Sequence, residues 1–225
     1  MRTPEPAVTA APLSPSTAAG SAGGFHPTPH EFGVGARFTL AVMADDFAEV
    51  ILDALRQADA SGLDVATGVV STYVSGAEQD VMRYLSQALS AAGRSGAHVS
   101  ASVHLSRGCP GGVTCAIPAG GAALHSEVPV LESTGVHCVA DWALYPLADA
   151  GTDGGSADHM RDIYAAIDHA RSTGITVTPD HYVTRLEGDL GLVLETIAAG
   201  WVLAGRSVQH VTTHATLSIN SPSAA

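Results

Sequence analysis

The sequence predicts an α+β protein made of two tandem copies of one unit, each with an antiparallel sheet. The first observation is an internal repeat: Gly62 and Gly174 stand 112 positions apart, as do His98 and His210, with no gap between these pairs. The second observation is that each copy alternates segments of strand-like period two with segments of helical period. Two copies of one domain fit a chain of 225 residues.

Each copy predicts the element order β-α-β-β-α-β. In the first copy the expected elements are a strand near Arg37–Met43, a helix from Asp45 or Asp46 to Gly62, strands Leu63–Ala66 and Val69–Val74 hinged at Thr67 and Gly68, a helix capped by Gly93, and a strand His98–Ser106. In the second copy the hairpin is expected to hinge at Pro179 and Asp180, and Gly205 closes the second helix. This order is typical of a ferredoxin-like (βαββαβ, ACT-like) unit, with both helices on one face of the sheet.

Composition divides the chain into four parts. Residues 1–32 are rich in Ala, Pro, Ser and Thr and predict a disordered tail, whereas 108–134 are rich in Gly and Pro and predict a linker. The first repeat is expected at 33–107 and the second at 135–223.

The first strand does not share the 112-residue spacing. Trp142–Tyr145 matches Leu40–Met43 at an offset of 102, which predicts ten extra residues near Gly151–Ser156 in the second copy.

Charge and composition exclude several classes of function. Acidic residues outnumber basic ones 22 to 10 and the formal charge is -12, so a phosphate backbone is repelled and nucleic acid is not an expected partner. The chain contains no Lys, which excludes a phosphate-loop lysine and Schiff-base chemistry. It also shows neither a membrane-spanning stretch nor a secretory signal, and its three cysteines have no Cys-x-x-Cys spacing, so we expect a cytoplasmic protein with reduced thiols.

The last strand of each copy predicts one apolar and one polar face. In the first copy His98, Ser102 and His104 oppose apolar neighbours, and in the second copy His210 and His214 do the same. This polar face is either solvated, or pairs with another sheet in a dimer, or forms a shelf for a small polar heterocycle. The α-carbons of His210 and His214 would be roughly 13 Å apart, too far for two ligands of one metal ion. No nucleophile elbow or dinucleotide fingerprint is present, so we expect neither an enzyme nor a cofactor nor a metal site.

Several segments together resemble a known family. They are Arg37–Leu40, Met43–Phe47, Ser71–Thr72 and Leu105–Gly111 in the first copy, and Ala143–Leu147, His181–Tyr182, Glu187–Asp189, Leu217–Ser218 and Asn220–Ser223 in the second. In motif, order and repetition, residues 35 to 223 are similar to the YkoF family of thiamin/hydroxymethylpyrimidine-binding proteins.

The resemblance implies a homodimer of tandem ferredoxin-like repeats that binds thiamin through its aminopyrimidine half, without catalysis, in thiamin uptake or salvage. The implied ligand-binding residues are Thr184, Tyr145, His181, Asp180, Ala143 and His214 in the second copy, with Thr72 and Leu40 in the first. The first copy departs from the family pattern, because it has Ala41, Val42 and Met43 where an aromatic followed by proline is expected, and Gly68 and Val69 where a polar residue and His are expected. We therefore predict that the second repeat holds the better site.

Two questions stay open at the level of sequence. Alternation places Thr184 with Leu186, toward the helices, which conflicts with a ligand on the polar face unless a bulge intervenes. The alternative function is a regulatory ACT-like module that senses an amino acid or another small metabolite.

Overall fold

The computed structural model describes residues 27–108, 124, 126–147 and 159–224. Within them the fold is mixed α/β, with five α-helices and eight strands. In chain order the elements are α1 Pro29–Phe32, β1 Gly35–Met43, α2 Phe47–Gln57, β2 Asp64–Thr67, β3 Thr72–Ser75, α3 Glu78–Gly93, β4 His98–Arg107, β5 His137–Leu147, α4 His159–Ser172, β6 Thr176–Asp180, β7 Val183–Asp189, α5 Leu190–Ala204 and β8 His210–Ile219, followed by a 3-10 turn at Pro222–Ala224.

All eight strands belong to one antiparallel sheet. Their order across the sheet is β2-β3-β1-β4-β8-β5-β7-β6, so each copy contributes four adjacent strands. The two sheets expected from the sequence are therefore joined into one by pairing of β4 with β8. Residues that alternate toward the helices are buried along both strands, because α3 and α5 pack against the same face and contact each other.

The junction between the copies is symmetric. Val103 of β4 pairs directly with Ala215 of β8, and these two residues occupy equivalent positions of the 112-residue repeat. The local twofold axis that relates the copies therefore passes through this residue pair.

The register of the first strands corrects the sequence prediction. Phe38 pairs with Val103, and Trp142 pairs with Ala215, so Phe38 and Trp142 are the equivalent residues. Their separation is 104 positions, not the predicted 102, which makes Leu144 the counterpart of Leu40. The error has a physical cause, because a shift of two residues leaves every side chain of a strand on the same face. The predicted insertion at 151–156 lies outside the described residues.

Both hairpins turn later than expected. Asp180 pairs with Val183, so the β6–β7 turn is at His181 and Tyr182, and Tyr182 adopts a φ of 65°. The predicted hinge residue Pro179 instead lies inside β6, an outermost strand, where a missing N–H is tolerated. In the first copy residues 68–71 connect the strands, so of the predicted hinge residues Gly68 lies in the turn, whereas Thr67 is the last residue of β2.

The helix ends depend on packing as well as on glycine. Helix α2 ends at Gln57, five residues before the predicted Gly62, which adopts a φ of +78° in the following turn. Gly93 is the last residue of α3, but the left-handed residue is Gly96. A Cβ on Gly93 would lie 2.9 Å from Cγ2 of Ile219, so this glycine permits close packing of α3 against β8.

The predicted tail and linker are partly structured where they are described. Pro29–Phe32 form a helical turn with a capping box between Thr28 and Glu31, so the prediction of disorder is wrong for these four residues. Within residues 126–134, Val130 is joined to α3 by two hydrogen bonds. The Gln79 side chain donates to the Val130 carbonyl at 2.9 Å and accepts from the Val130 N–H at 2.9 Å. None of the helices in the described ranges combines the length and the apolar composition needed to cross a bilayer.

Candidate functional site

The open face of the sheet is polar, as alternation predicted. On β4 and β8 the imidazoles and hydroxyls of this face hydrogen-bond across the junction between the copies. His98 Nε2 and Ser218 Oγ lie 3.0 Å apart, and Ser102 Oγ and His214 Nε2 lie 3.0 Å apart. Burial, and to a smaller extent the neighbouring His214, lower the pKa of His104 below its ordinary value. Two side-chain hydrogen bonds on this face therefore link the last strands of the two copies.

A shallow cleft of about 600 Å³ lies on the open face over β5, β7 and β8. Its charged residues are paired with one another. Arg185 lies 3.3 Å from Asp141 and 2.9 Å from Asp180, and His137 lies 3.5 Å from Glu187. A charged ligand in this cleft would have to compete with these partly exposed pairs for the same side chains.

A second cleft, of about 410 Å³, opens at the end of the second repeat between α4, β5 and the β6–β7 hairpin. We call it the α4 cleft. Its volume falls in the range of small-molecule sites. It is lined by Trp142, Ala143, Leu144, Tyr145, Ile163, Ile167, Pro179, Asp180, Tyr182, Val183 and Thr184.

Thr184 lies on the helix side of the sheet and lines the α4 cleft. The residue is only 8% exposed. Its strand shows no bulge at this point, because Thr184 pairs with Trp142 in a regular ladder. No other residue in the described ranges hydrogen-bonds the Thr184 hydroxyl. A polar group placed in this way is available to a ligand.

The equivalent hydroxyl of the first repeat already has a partner. Thr72 Oγ1 lies 3.2 Å from Thr67 Oγ1, and the position equivalent to Thr67 in the second repeat is Pro179. Proline has no side-chain hydroxyl or N–H to offer. The single exchange of Thr67 for Pro179 therefore removes the hydrogen bond that occupies this threonine in the first repeat.

The α4 cleft also borders the end of β5, which has no paired strand on the β7 side within the described residues. The β5–β7 ladder ends at Trp142, whereas β5 continues to Leu147. The carbonyl of Ala143 accepts a hydrogen bond from Thr213 of β8 at 2.8 Å and so points toward β8. Because successive residues alternate, the N–H and carbonyl of Leu144 point to the opposite side, toward the cleft.

The structure brings together four of the residues implied by the resemblance and separates the others. Thr184, Tyr145, Asp180 and Ala143 all line the α4 cleft. The carboxylate of Asp180 already pairs with Arg185 and accepts from the His181 N–H at 2.7 Å.

The remaining four residues do not line the α4 cleft. His181 is exposed at the hairpin tip, and His214 is on the open face, across the sheet from Thr184. The position of His214 contradicts a single site that would hold both residues. Thr72 and Leu40 face the helices of the first repeat.

Seven of the eleven lining residues were not among the site residues predicted from the sequence: Trp142, Leu144, Ile163, Ile167, Pro179, Tyr182 and Val183. Ile163 and Ile167 belong to the apolar stripe of α4, and such a stripe indicates packing against the core, with no sign of a ligand site. The position of Tyr182 in the sequence could have indicated that its side chain is exposed, because a two-residue hairpin turn places both of its side chains at the tip of the hairpin.

The described residues contain no group of three or more His, Cys, Asp and Glu side chains that could hold a metal ion. The buried Cys138 is a free thiol, and burial raises its pKa to about 12, with a smaller contribution from Asp189. At neutral pH this thiol is protonated and unsuited to nucleophilic attack.

The fold and the cleft define a class: a two-repeat mixed α/β protein with one shared antiparallel sheet and a small-molecule-sized cleft between helix and sheet. The chain belongs to the YkoF-related family, whose model matches residues 33–112 and 138–224. It is also 30% identical over 189 residues to the "Putative HMP/thiamine-binding protein YkoF" of Bacillus subtilis (strain 168), covering 84% of this chain and 91% of that protein.

Proposed function

We propose that this protein binds thiamin or its hydroxymethylpyrimidine moiety in the α4 cleft and does not transform it. We also infer that each repeat is a ferredoxin-like unit, which the element order and the strand order within each half support. The name of the Bacillus subtilis relative, a hydroxymethylpyrimidine/thiamine-binding protein, supports the choice of ligand.

The observation that carries the proposal is the hydroxyl of Thr184, a lining residue of the cleft, for which the described residues supply no hydrogen-bond partner. An aminopyrimidine presents an exocyclic amino donor and ring-nitrogen acceptors in one plane. The Thr184 hydroxyl can accept from the amino group or donate to a ring nitrogen. A bound ring would therefore use a hydroxyl that no other described residue occupies.

The main chain of Leu144 supplies a second polar contact in the proposal. Its N–H and carbonyl form a donor-acceptor pair on the side of β5 where the part of the chain that the structure describes shows no strand pairing beyond Trp142. The edge of a pyrimidine that carries a ring nitrogen beside an amino group matches this pair in the way that a neighbouring strand would. Recognition by the main chain and by Thr184 needs no charged residue in the cleft.

The first repeat is proposed to bind less tightly or not at all. Its Thr72 is already bonded to Thr67, and Ala41 and Val70 stand where the second repeat has Tyr145 and Tyr182. The first repeat thus offers one fewer available hydroxyl and less aromatic surface.

Isothermal titration with hydroxymethylpyrimidine and with thiamin tests the proposal. Thr184→Val removes the hydroxyl and keeps the shape, and we expect its Kd to rise about tenfold, which corresponds to about 1.4 kcal/mol. Thr72→Val is the matched control and should bind as the parent does. Equal binding by the Thr184→Val variant and the parent would contradict the proposed site. Binding of amino acids, but of neither pyrimidine ligand, would favour the regulatory alternative.

The oligomeric state, the cellular role and the location of the protein are part of the same proposal. The resemblance implies a homodimer that acts in thiamin uptake or salvage in the cytoplasm. Sedimentation velocity of the full chain tests the dimer, and incubation with thiamin and ATP, followed by product analysis, tests the absence of catalysis.

A further inference from the structure

We propose that the α4 cleft has two ends, and that its end on the open face of the sheet is a subsite for an organic cation, such as the thiazolium ring of thiamin. The proposal rests on the proposed function, because it names the chemical form of the ligand that the same cleft prefers. Three lining residues of the cleft carry it: Tyr145, Asp180 and Tyr182.

The lining residues of the α4 cleft belong to both faces of the sheet. Along β5, Trp142 and Leu144 are buried on the helix side, whereas Tyr145 is 50% exposed. Because successive residues of a strand alternate between faces, Tyr145 lies on the open face. Thr184 lies on the helix side, so the cleft has one end beside Thr184 and another on the open face beside Tyr145.

The end of β5 explains how one cleft can reach both faces. The β5–β7 ladder ends at Trp142, and the β6–β7 hairpin turns at His181 and Tyr182. Within the part of the chain that the structure describes, no strand pairs with β5 beside the hairpin tip. A ligand of two rings joined by a short bridge can therefore place one ring near Thr184 and the other at the open-face end.

The open-face end carries an excess of negative charge. The carboxylate of Asp180 lies 2.9 Å from the guanidinium of Arg185, which also lies 3.3 Å from the carboxylate of Asp141. Two carboxylates share one guanidinium, so one negative charge of this group is uncompensated. None of the lining residues of the α4 cleft is basic. This end of the cleft therefore attracts a cationic ring and repels a phosphate group.

The aromatic rings at the open-face end are accessible to a ligand. Tyr182 is fully exposed and Tyr145 is half-exposed. A thiazolium nitrogen has no N–H to donate, so it is recognised by negative charge and by the faces of aromatic rings, as quaternary ammonium groups are. Tyr182 also has a φ of 65°, which is uncommon for a bulky residue, and such strained positions cluster at ligand sites.

The first repeat lacks this combination. The residues at the positions of Tyr145, Asp180 and Tyr182 are Ala41, Gly68 and Val70. These three positions of the first repeat offer neither an aromatic face nor a carboxylate. We therefore assign the preference for a cation to the second repeat alone.

The test is isothermal titration of the full chain with two probes that differ in charge. They are thiamin and its deaza analogue, in which a neutral thiophene replaces the thiazolium. The parent should bind thiamin about tenfold more tightly than the analogue, as expected for a carboxylate and two aromatic faces. Added salt should reduce this preference, because it screens partly exposed charges. Thiamin diphosphate should bind less tightly than thiamin.

Two variants test the aromatic faces. Tyr182→Leu and Tyr145→Leu keep apolar surface and remove the π face, so each should reduce the preference for thiamin over its analogue about threefold. Tyr164→Leu is the matched control, because Tyr164 is an exposed tyrosine of α4 that does not line the cleft. This control should keep the preference of the parent.

Asp180→Asn tests the charge. The amide oxygen still accepts from the His181 N–H, which Asp180 now does at 2.7 Å. We expect weaker binding of thiamin, tighter binding of thiamin diphosphate and little change for the neutral analogue. Far-UV circular dichroism identifies any loss of fold, and the two tyrosine variants remain as tests if this variant does not fold.

The outcomes separate the two proposals. Equal Kd values of the parent for thiamin and its neutral analogue, or tighter binding of thiamin diphosphate, would overturn the inference and leave the proposed function intact. A preference that falls equally in Tyr164→Leu and Tyr182→Leu would also contradict it. If the parent binds neither hydroxymethylpyrimidine nor thiamin, the proposed function fails, and the inference fails with it.

Discussion

Glu78 and Arg107 form an ion pair of 3.6 Å in which both side chains are almost completely buried. Glu78 begins α3 and Arg107 ends β4, so the pair joins the helix layer to the sheet. Glu78 also accepts from Ser126 Oγ at 2.7 Å, and Arg107 donates to the Leu124 carbonyl at 2.7 Å. The pair therefore anchors part of the segment between the repeats.

The second repeat provides a direct test of this ion pair, because its equivalent residues are Leu190 and Ile219. Glu78→Leu alone leaves a buried guanidinium without its counter-ion and should lower the free energy of unfolding by about 3 kcal/mol or more. The double variant Glu78→Leu with Arg107→Ile should lose less than this single variant. Urea unfolding measures both values. If the two single losses simply add in the double variant, the two charges are not coupled.

Asp189 should make stability depend on pH in the acid range. Burial raises the pKa of its carboxyl, but hydrogen bonds from Thr134, Ser133, Gly135 and Gly191 outweigh this effect, so the pKa lies below the ordinary 3.8. A carboxylate with a lowered pKa stabilises the fold above about pH 3.8, and this contribution is lost as the pH falls through the lower folded-state value.

The test of Asp189 is the variant Asp189→Asn. It should lower stability by about 1 kcal/mol at pH 7, because an amide NH2 replaces one of the two oxygens that accept from the Thr134, Gly135 and Gly191 N–H groups, and should flatten the loss of stability below pH 4. Denaturant midpoints between pH 2.5 and 7 measure this. The equivalent residue Ala77 has no capping side chain, so Ala77→Asp is the comparison in the first repeat. An unchanged acid slope in Asp189→Asn would contradict the assignment.

Tyr182 adopts a left-handed φ of 65° and is fully exposed at the tip of the β6–β7 hairpin. Glycine adopts this conformation without steric cost, so Tyr182→Gly should raise the free energy of unfolding by about 0.5–1 kcal/mol. The same variant should bind hydroxymethylpyrimidine less tightly, because Tyr182 lines the α4 cleft. His181→Gly, at a residue with negative φ, should lower stability instead. A loss of stability in Tyr182→Gly would show that its side chain contributes packing that outweighs the strain.

Cys138 should react with thiol reagents only after unfolding. Its pKa of about 12 leaves a thiolate fraction roughly 1000-fold below that of an ordinary cysteine at pH 8. Labelling with iodoacetamide, followed by mass spectrometry of the peptide that contains residue 138, measures its rate in buffer and in denaturing urea. Rapid labelling in buffer would mean that β5 opens locally without global unfolding.

The sequence predicted the faces of the strands better than their register. Alternation correctly assigned His98 and His214 to the open face and Val103 to the core, because the alternation of polar and apolar residues along a strand can be read directly from the sequence. The offset of the first strands was wrong by two, since alternation does not change under such a shift. The actual pairing of Phe38 with Val103 depends on contacts distant in sequence, which no local pattern contains.

The candidate site was predicted in part for a similar reason. The helix-side position of Thr184 follows from alternation, and the structure confirms it without a bulge. The availability of its hydroxyl could not be predicted, because it depends on the exchange of Thr67 for Pro179 on a neighbouring strand. Trp142 gave no signal of its own, since its contact with Gly200 and its hydrogen bond to Thr213 exist only after β5, α5 and β8 have packed together.

The pairing of β4 with β8 also protects the chain against association with itself. Each strand is ten residues long and strictly alternating, and an unpaired strand of that kind is a template for aggregation. Once they pair, the outermost strands are β2 and β6, which are four and five residues long. β2 carries Asp64, and β6 carries Pro179 and Asp180, which discourage further strand addition. Joining the two repeats into one sheet therefore leaves, among the described strands, short edge strands at its two ends that are poor templates for pairing with another chain.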